Sequence, residues 1–418
     1  KDVTVQGNGA TRDDVVIGPD VIDVYNNSQF GGAYRHGFII ESSGVTITKL
    51  TVNGHANPAY PTGYNFRGGI SASLSGGVFN NITVNDVAVK YIGRRGIQVY
   101  TPTGSTGLAI TNNLVDEVDA SASGTGIAVF EANGTVSGNT VTNANNGILT
   151  NYISAAAYGP LLTISNNNFT TTGSDPWGMG LWGLKGGSIA QNNTMSTAST
   201  TGESVGLHLS YATGVGPSVN HVVVDNNSIT GFKHGMPLYN LDQPGGTPPT
   251  HVISNNTIQN PASVSGSDGL FFSSSDPGWI GDTDNGLVKA SLSGNTVTGY
   301  ETGWNIRKGS ATVTLTVGSG NTISNATTGI FAFGPGLTFV GNTLDNLAFS
   351  TVSGDYIKLS NTAFNGVTLD ATASTFESKL GSAMTPAELY VAEDKIDHAP
   401  DSTGLGFVRV KAANVFVT

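Results

Sequence analysis

The chain has 418 residues, carries a net charge of −11 and is charged at only 11% of its positions, with 57 glycines and no cysteine. The missing cysteine excludes disulfides, thiolate metal sites and a cysteine nucleophile. An acidic balance without a basic run argues against nucleic acid as partner, and no run of about 18 apolar residues is present to insert in a membrane.

The chain opens on Lys1-Asp2-Val3-Thr4-Val5-Gln6-Gly7, an alternating strand pattern with no amphipathic helix ahead of it. From there two short phrases alternate. One is a Gly-Asn or Asn-Asn turn followed by alternation, as in Ser137-Gly138-Asn139-Thr140-Val141, Asn226-Asn227-Ser228-Ile229 and Ser319-Gly320-Asn321-Thr322-Ile323. Its asparagines fall at Asn80, Asn113, Asn139, Asn167, Asn193, Asn227, Asn256, Asn295, Asn321 and Asn342, spaced by 21 to 39 residues. The other phrase begins with glycine and an apolar residue, as in Gly96-Ile97-Gln98-Val99, Gly126-Ile127-Ala128-Val129, Gly206-Leu207-His208-Leu209 and Gly303-Trp304-Asn305-Ile306. Gly147, Gly180, Gly235, Gly269 and Gly329 are counted in the same set.

Two phrases alternating down a chain mean one supersecondary unit stacked many times, which lets the chain exceed the size of an ordinary single core. Each rung is predicted to hold three short strands. Neighbouring rungs then lie about 4.8 Å apart, and stacked asparagine amides donate to one neighbour and accept from the other. Variable loops between constant strands account for the uneven spacing. The repeat fades after Asn342. Thr385-Pro386-Ala387-Glu388-Leu389 reads as a capped helix start, predicting a helix over 385–398, with strands over 406–410 and 414–417.

The pattern resembles the right-handed parallel β-helix, the architecture of pectate-lyase-like proteins, many polysaccharide hydrolases and bacterial surface proteins. The resemblance implies an all-β, single-stranded solenoid of about twelve rungs over 1–370 with an asparagine ladder. Residues 371–418 are then a small C-terminal cap or connector, similar to connectors of large bacterial surface repeat proteins. Solenoid ends need polar caps, so a segment ahead of Lys1 is expected. The resemblance also implies that a site would lie on the outer face of the Gly-Ile sheet. No catalytic motif of the family is matched.

Counting outward from each glycine places an aromatic row on that face, flanked by long loops between 150 and 290; the row is either an open platform for sugar rings or a satellite core under those loops. The expected binding residues are Trp177, Trp182, His234 and Tyr239. Candidates for a catalytic base or charge neutraliser are Lys185, His208, Tyr211, Asp242 and Arg307. Glu203, Asp268 and Asp276 are further carboxylates without a motif to place them. Arg35, Arg67 and Arg94 each stand two residues before a rung glycine and are expected to stack as a basic column, gripping an anionic polymer or paired with Glu41 or Asp86. No metal or other cofactor is expected. Asp282 and Asp284 are the weak candidates for Ca²⁺, lacking the EF-hand spacing. These features favour an extracellular or cell-surface bacterial module that binds polysaccharide or builds matrix. The alternative is a polysaccharide lyase or glycoside hydrolase in the same groove.

Overall fold

The structure, a computed structural model, describes residues 2–19, 25–27, 32–55, 66–72, 78–101, 104–119, 124–151, 160–199, 202–210, 221–239, 241, 250–262, 264–273, 287–307, 312–333, 337–360, 366–401 and 404–412. The chain forms two compact units, residues 1–208 with 215–222, and residues 209–214 with 223–418. Each is a right-handed parallel β-helix of three-stranded rungs.

In the first unit, the rung Leu108–Thr111, Leu114–Val118 and Thr125–Phe130 is followed by Gly134–Ser137, Thr140–Ala144 and Asn146–Asn151. Every strand pairs in parallel with its counterpart, for example Ile127 with Ile148 and Val115 with Val141. The preceding rung is one long strand, Thr83–Tyr100, bent at Asp86 and Tyr91, which adopt left-handed backbone angles. Alternation turns every second side chain inward. The stacked rows Ile97, Ile127, Ile148, Met179 and Val89, Val115, Val141, Phe169 are fully buried.

The asparagine turns form a ladder in each unit. Asn139 Oδ1 accepts from both the backbone N–H and the Nδ2 of Asn113, at 3.0 and 2.9 Å. Asn139 Nδ2 donates to Asn167 Oδ1 and to the Ile110 carbonyl, both at 2.9 Å. The pattern runs through Asn113, Asn139, Asn167 and Asn193, and again through Asn227, Asn256, Asn295 and Asn321. The residue before each ladder asparagine bends the chain with a positive φ, as at Asn112 and Gly138, which is why the turn reads Asn-Asn or Gly-Asn.

Asn80 and Asn342, expected in the ladder, stand outside it. Val87, not Asn80, donates its backbone N–H to Asn113 Oδ1, and Asn80 is a half-exposed acceptor for Thr106. Leu347 aligns with Asn321, while Asn342 is an exposed turn residue with φ 51°. A short Asn-rich turn motif does not by itself fix register.

The rung glycines face inward against the adjacent corner. A Cβ on Gly126 would stand 2.4 Å from Val141 Cγ1 and 2.9 Å from the Gly147 carbonyl. In the next rung this place belongs to Gly178, not Gly180, because Asn146 pairs with Trp177 and Ile148 with Met179.

In the second unit, parallel pairing continues past residue 370. Thr375–Phe376 stacks on Ala348 and Phe349, and Ile396–Asp397 on Ile357 and Lys358. Helix α1, Pro386–Glu393, is inserted within this last rung and stops short of the expected 398 because buried Ile396 returns to the stack. Its N-terminus closes as the sequence predicts: Thr385 Oγ1 accepts from the Glu388 N–H, and Glu388 Oε2 accepts from the Thr385 N–H. Gly404–Arg409 forms a strand paired with Ala399–Asp401, and 414–417 lies outside the described residues.

Candidate functional site

The outer face of the Gly-Ile sheet in the first unit carries columns set by register. One runs His36, Gly68, Arg95, Thr125, Asn146, Trp177. Another runs Ser71, Gln98, Ala128, Leu149, Gly180. Tyr100 and Phe130 align beyond them, edge to face at 5.5 Å. Burial, with Glu131 second, raises the pKa of the Tyr100 hydroxyl, keeping it a neutral donor.

Trp177 and Trp182 meet on this face. Their rings stack at 5.0 Å with an interplanar angle of 22°. Glycine at 180 makes the arrangement possible, since a Cβ there would lie 2.2 Å from Trp182 Cζ3. The indole therefore lies across the sheet in the space the absent side chain leaves. His208 packs edge-on against Trp177 at 5.3 Å and Trp182 at 4.7 Å. It is fully buried, and burial depresses its pKa to about 3, so the ring is neutral at ordinary pH. Both tryptophans remain half-exposed. The result is an aromatic platform on a rigid sheet.

One carboxylate, that of Asp175, stands in the turn leading into the Trp177 strand. Asp175 precedes Trp177 by two residues, and its Oδ1 accepts the Glu203 N–H at 2.8 Å. Lys185 sits in the turn after Trp182, its N–H bonded to the Pro160 carbonyl.

The second unit holds a separate polar chain on the corresponding face. His234 Nδ1 lies 3.3 Å from Asp268 Oδ2, and Asn305 Nδ2 donates to Asp268 Oδ1 at 2.7 Å. Arg307 Nε in turn donates to Asn305 Oδ1 at 3.2 Å. His234, Asp268 and Asn305 are buried and Arg307 is exposed. Phe333 aligns with Arg307, and Phe331 with Asn305.

The expected groove is thus corrected in part. Trp177, Trp182 and His208 do come together, but His208 is a buried support beneath the indoles and not an open base. Tyr239 is fully buried, contrary to the expected exposed aromatic, and His234 is occupied against Asp268. Alternation fixes the face of a strand. Accessibility depends on what adjacent rungs lay over it. Tyr211, Asp242, Asp276, Asp282 and Asp284 lie outside the described residues. Among the described residues no group of three or more His, Asp or Glu is placed to hold a metal ion, and no helix is long and apolar enough to cross a membrane. Gly180 was counted only as a rung glycine and not as part of a site, and Arg95 and Asp175 were not singled out by the repeat pattern. The doubled glycine in Gly178-Met179-Gly180 and the doubled arginine at 94–95 are the signals that mark the first two.

No protein-family model matches the chain, and no curated protein does. Two solved structures are similar. One is a mutant of DFA-IIIase from Arthrobacter chlorophenolicus A6 in complex with DFA-III, at 12% identity and TM-score 0.35, covering 88% of this chain and 78% of that one. The other is tailspike protein 3 of bacteriophage CBA120, at 11% identity and TM-score 0.28, covering 83% of this chain and 55% of that one. Similarity this low carries no functional assignment.

Proposed function

We propose that the chain is a polysaccharide-binding β-helix module of a larger extracellular or cell-surface bacterial protein. The observation that carries this reading is the stacked, half-exposed Trp177–Trp182 pair, cradled over Gly180 on a rigid outer sheet face. Sugar rings present apolar faces that pack on indoles, while their hydroxyls need polar neighbours. A parallel sheet repeating about every 4.8 Å suits an extended polymer with many weak, similar contacts. The low charge and the richness in Thr, Asn and Gly fit an external setting. The test is a glycan array followed by a product assay on whatever binds. Binding that Trp182→Ala weakens by roughly 30-fold, without turnover, supports the module. No binding to any glycan would remove it.

A second reading, glycoside hydrolysis, draws on the Asp175 carboxylate two residues before Trp177, with Glu203 bonded to it through its backbone N–H from the adjacent rung. Hydrolysis requires two carboxyl groups about 5–10 Å apart across the scissile bond. New reducing ends that disappear in Asp175→Asn would select this reading over simple binding. Unsaturated products would point to a lyase.

A further inference from the structure

The outer face of the first unit gathers positive charge part-way along the column that leads to Trp177. Arg95 follows Gly68 in that column and precedes Thr125. Its Nη1 donates to Thr125 Oγ1, a neutral acceptor. Arg67 and Arg94 stand close enough to act on it electrostatically. Among the described residues no carboxylate pairs with Arg94 or Arg95. The two carboxylates expected to neutralise this group do not do so: Asp86 faces Arg12 at 3.7 Å, and Glu41 is an exposed residue with no ion pair.

This arrangement is costly without a ligand. A half-buried guanidinium has given up water and received one hydroxyl in return, with two like charges nearby. Burial, and then Arg94 and Arg67, accordingly lower its pKa to about 10. His36 adds no carboxylate to the group. Its ring lies over Gly68, where a Cβ would stand 2.2 Å from Nδ1, and Nδ1 meets Ser71 Oγ at 2.9 Å. Burial and Arg67 lower the His36 pKa to about 4, so it is neutral at ordinary pH. Guanidinium nitrogens beyond Nη1 remain to bind an oxyanion in fork geometry.

We propose that Arg95, with Arg67 and Arg94 behind it, binds an anionic substituent, a carboxylate or sulfate ester, of the polymer that rests on Trp177 and Trp182. This deepens the polysaccharide reading and rests on it for the identity of the carrier. Arg95 and Trp177 are three rung spacings apart, about 14 Å at 4.8 Å each. The polymer would lie along the column, across the strands, with its charged group a few sugar units from the stacked ring.

The test uses the full chain and three variants, Arg95→Gln, Arg94→Gln and Lys49→Gln, the last removing an exposed positive charge elsewhere. The first measurement is thermal unfolding in sodium sulfate against sodium chloride at equal ionic strength. An anion bound only by the folded state raises Tm. The site-specific increment, the part that saturates at low sulfate and does not rise steadily as general exclusion does, is expected in the wild type and in Lys49→Gln, reduced in Arg94→Gln and absent in Arg95→Gln. The second is titration with dextran, sulfated dextran and carboxymethyl dextran. The acidic polymers should bind about 10- to 100-fold more tightly than dextran, and Arg95→Gln should erase that margin. Whichever acidic polymer shows the larger margin identifies the group as sulfate or carboxylate. An increment and a margin that survive in Arg95→Gln would overturn the anion site. If sulfate acts through Arg95 but no glycan binds, the anion site stands and the polysaccharide reading falls. If glycans bind through Trp182 regardless of charge and of Arg95, the polysaccharide reading stands and the anion site falls.

Discussion

The asparagine turn and the outer face of the Gly-Ile sheet come from the same repeat, yet they obey opposite rules. At the turn, one residue type recurs because each amide must satisfy the rung before and the rung after. Asn113, Asn139, Asn167 and Asn193 are interchangeable parts of one hydrogen-bonded stack. On the outer face, aligned positions hold His, Gly, Arg, Thr, Asn and Trp in succession. No shared ladder of hydrogen bonds forces one residue type there. Regularity marks what holds the solenoid together, and irregularity on the same rungs marks where binding can be built.

The largest effect should come from interrupting the stack. Asn139→Leu strands the Asn113 N–H and Nδ2 and the Ile110 carbonyl in a dry interior. At roughly 1–3 kcal/mol per unsatisfied buried group, the three together cost about 3–9 kcal/mol. A urea denaturation series that shows less than about 1 kcal/mol would break the distinction between turn and face.

Acid should act next, through the face. The folded pKa of His208, about 3, lies below the unfolded value near 6.5. The unfolded chain therefore binds a proton that the folded chain refuses. Stability from this residue is full above about pH 6.5 and falls as pH drops toward 3. The loss between pH 7 and 4 should be on the order of 2–3 kcal/mol, and His208→Phe should remove that part of the acid dependence. Unchanged acid sensitivity in the variant would show that the indoles do not shield the ring from protonation.

Gly180→Ala tests the cradle. A methyl group 2.2 Å from the Trp182 ring forces the indole to move. Overpacking should cost about 1–3 kcal/mol and change the near-ultraviolet circular dichroism of the tryptophan pair. Trp182→Ala, by contrast, removes a half-exposed ring. It should lower stability by under about 2 kcal/mol while weakening glycan binding by a similar amount, roughly 30-fold. The smallest effect belongs to Asn342→Gly. An exposed asparagine at φ 51° carries no ladder bond, and glycine accepts that backbone angle, so the change should stay within about 0.5 kcal/mol. A ladder-sized loss there would mean that the turn motif alone, without register, creates the stack.

The amino-acid sequence by itself determined the repeating strand pattern, the asparagine ladder in its middle stretches, and the capped start of helix α1. These are local or periodic properties. Alternation dictates facing, a turn that needs a positive φ selects Gly or Asn, and Thr385 with Glu388 closes a helix end within four residues. Only the tertiary structure decided register and cover. Gly180 is counted as a rung glycine in the sequence, but pairing assigns that place to Gly178 and leaves Gly180 as the floor beneath an indole. Asn80 and Asn342 read as ladder residues and stand outside it. Tyr239 and His208 fall at outward positions by alternation, yet both are buried. Register and burial depend on contacts between residues some 20 to 40 positions apart, across loops of unequal length. A two-residue alternation carries no record of those lengths, so the partner each side chain meets is settled only when the rungs stack.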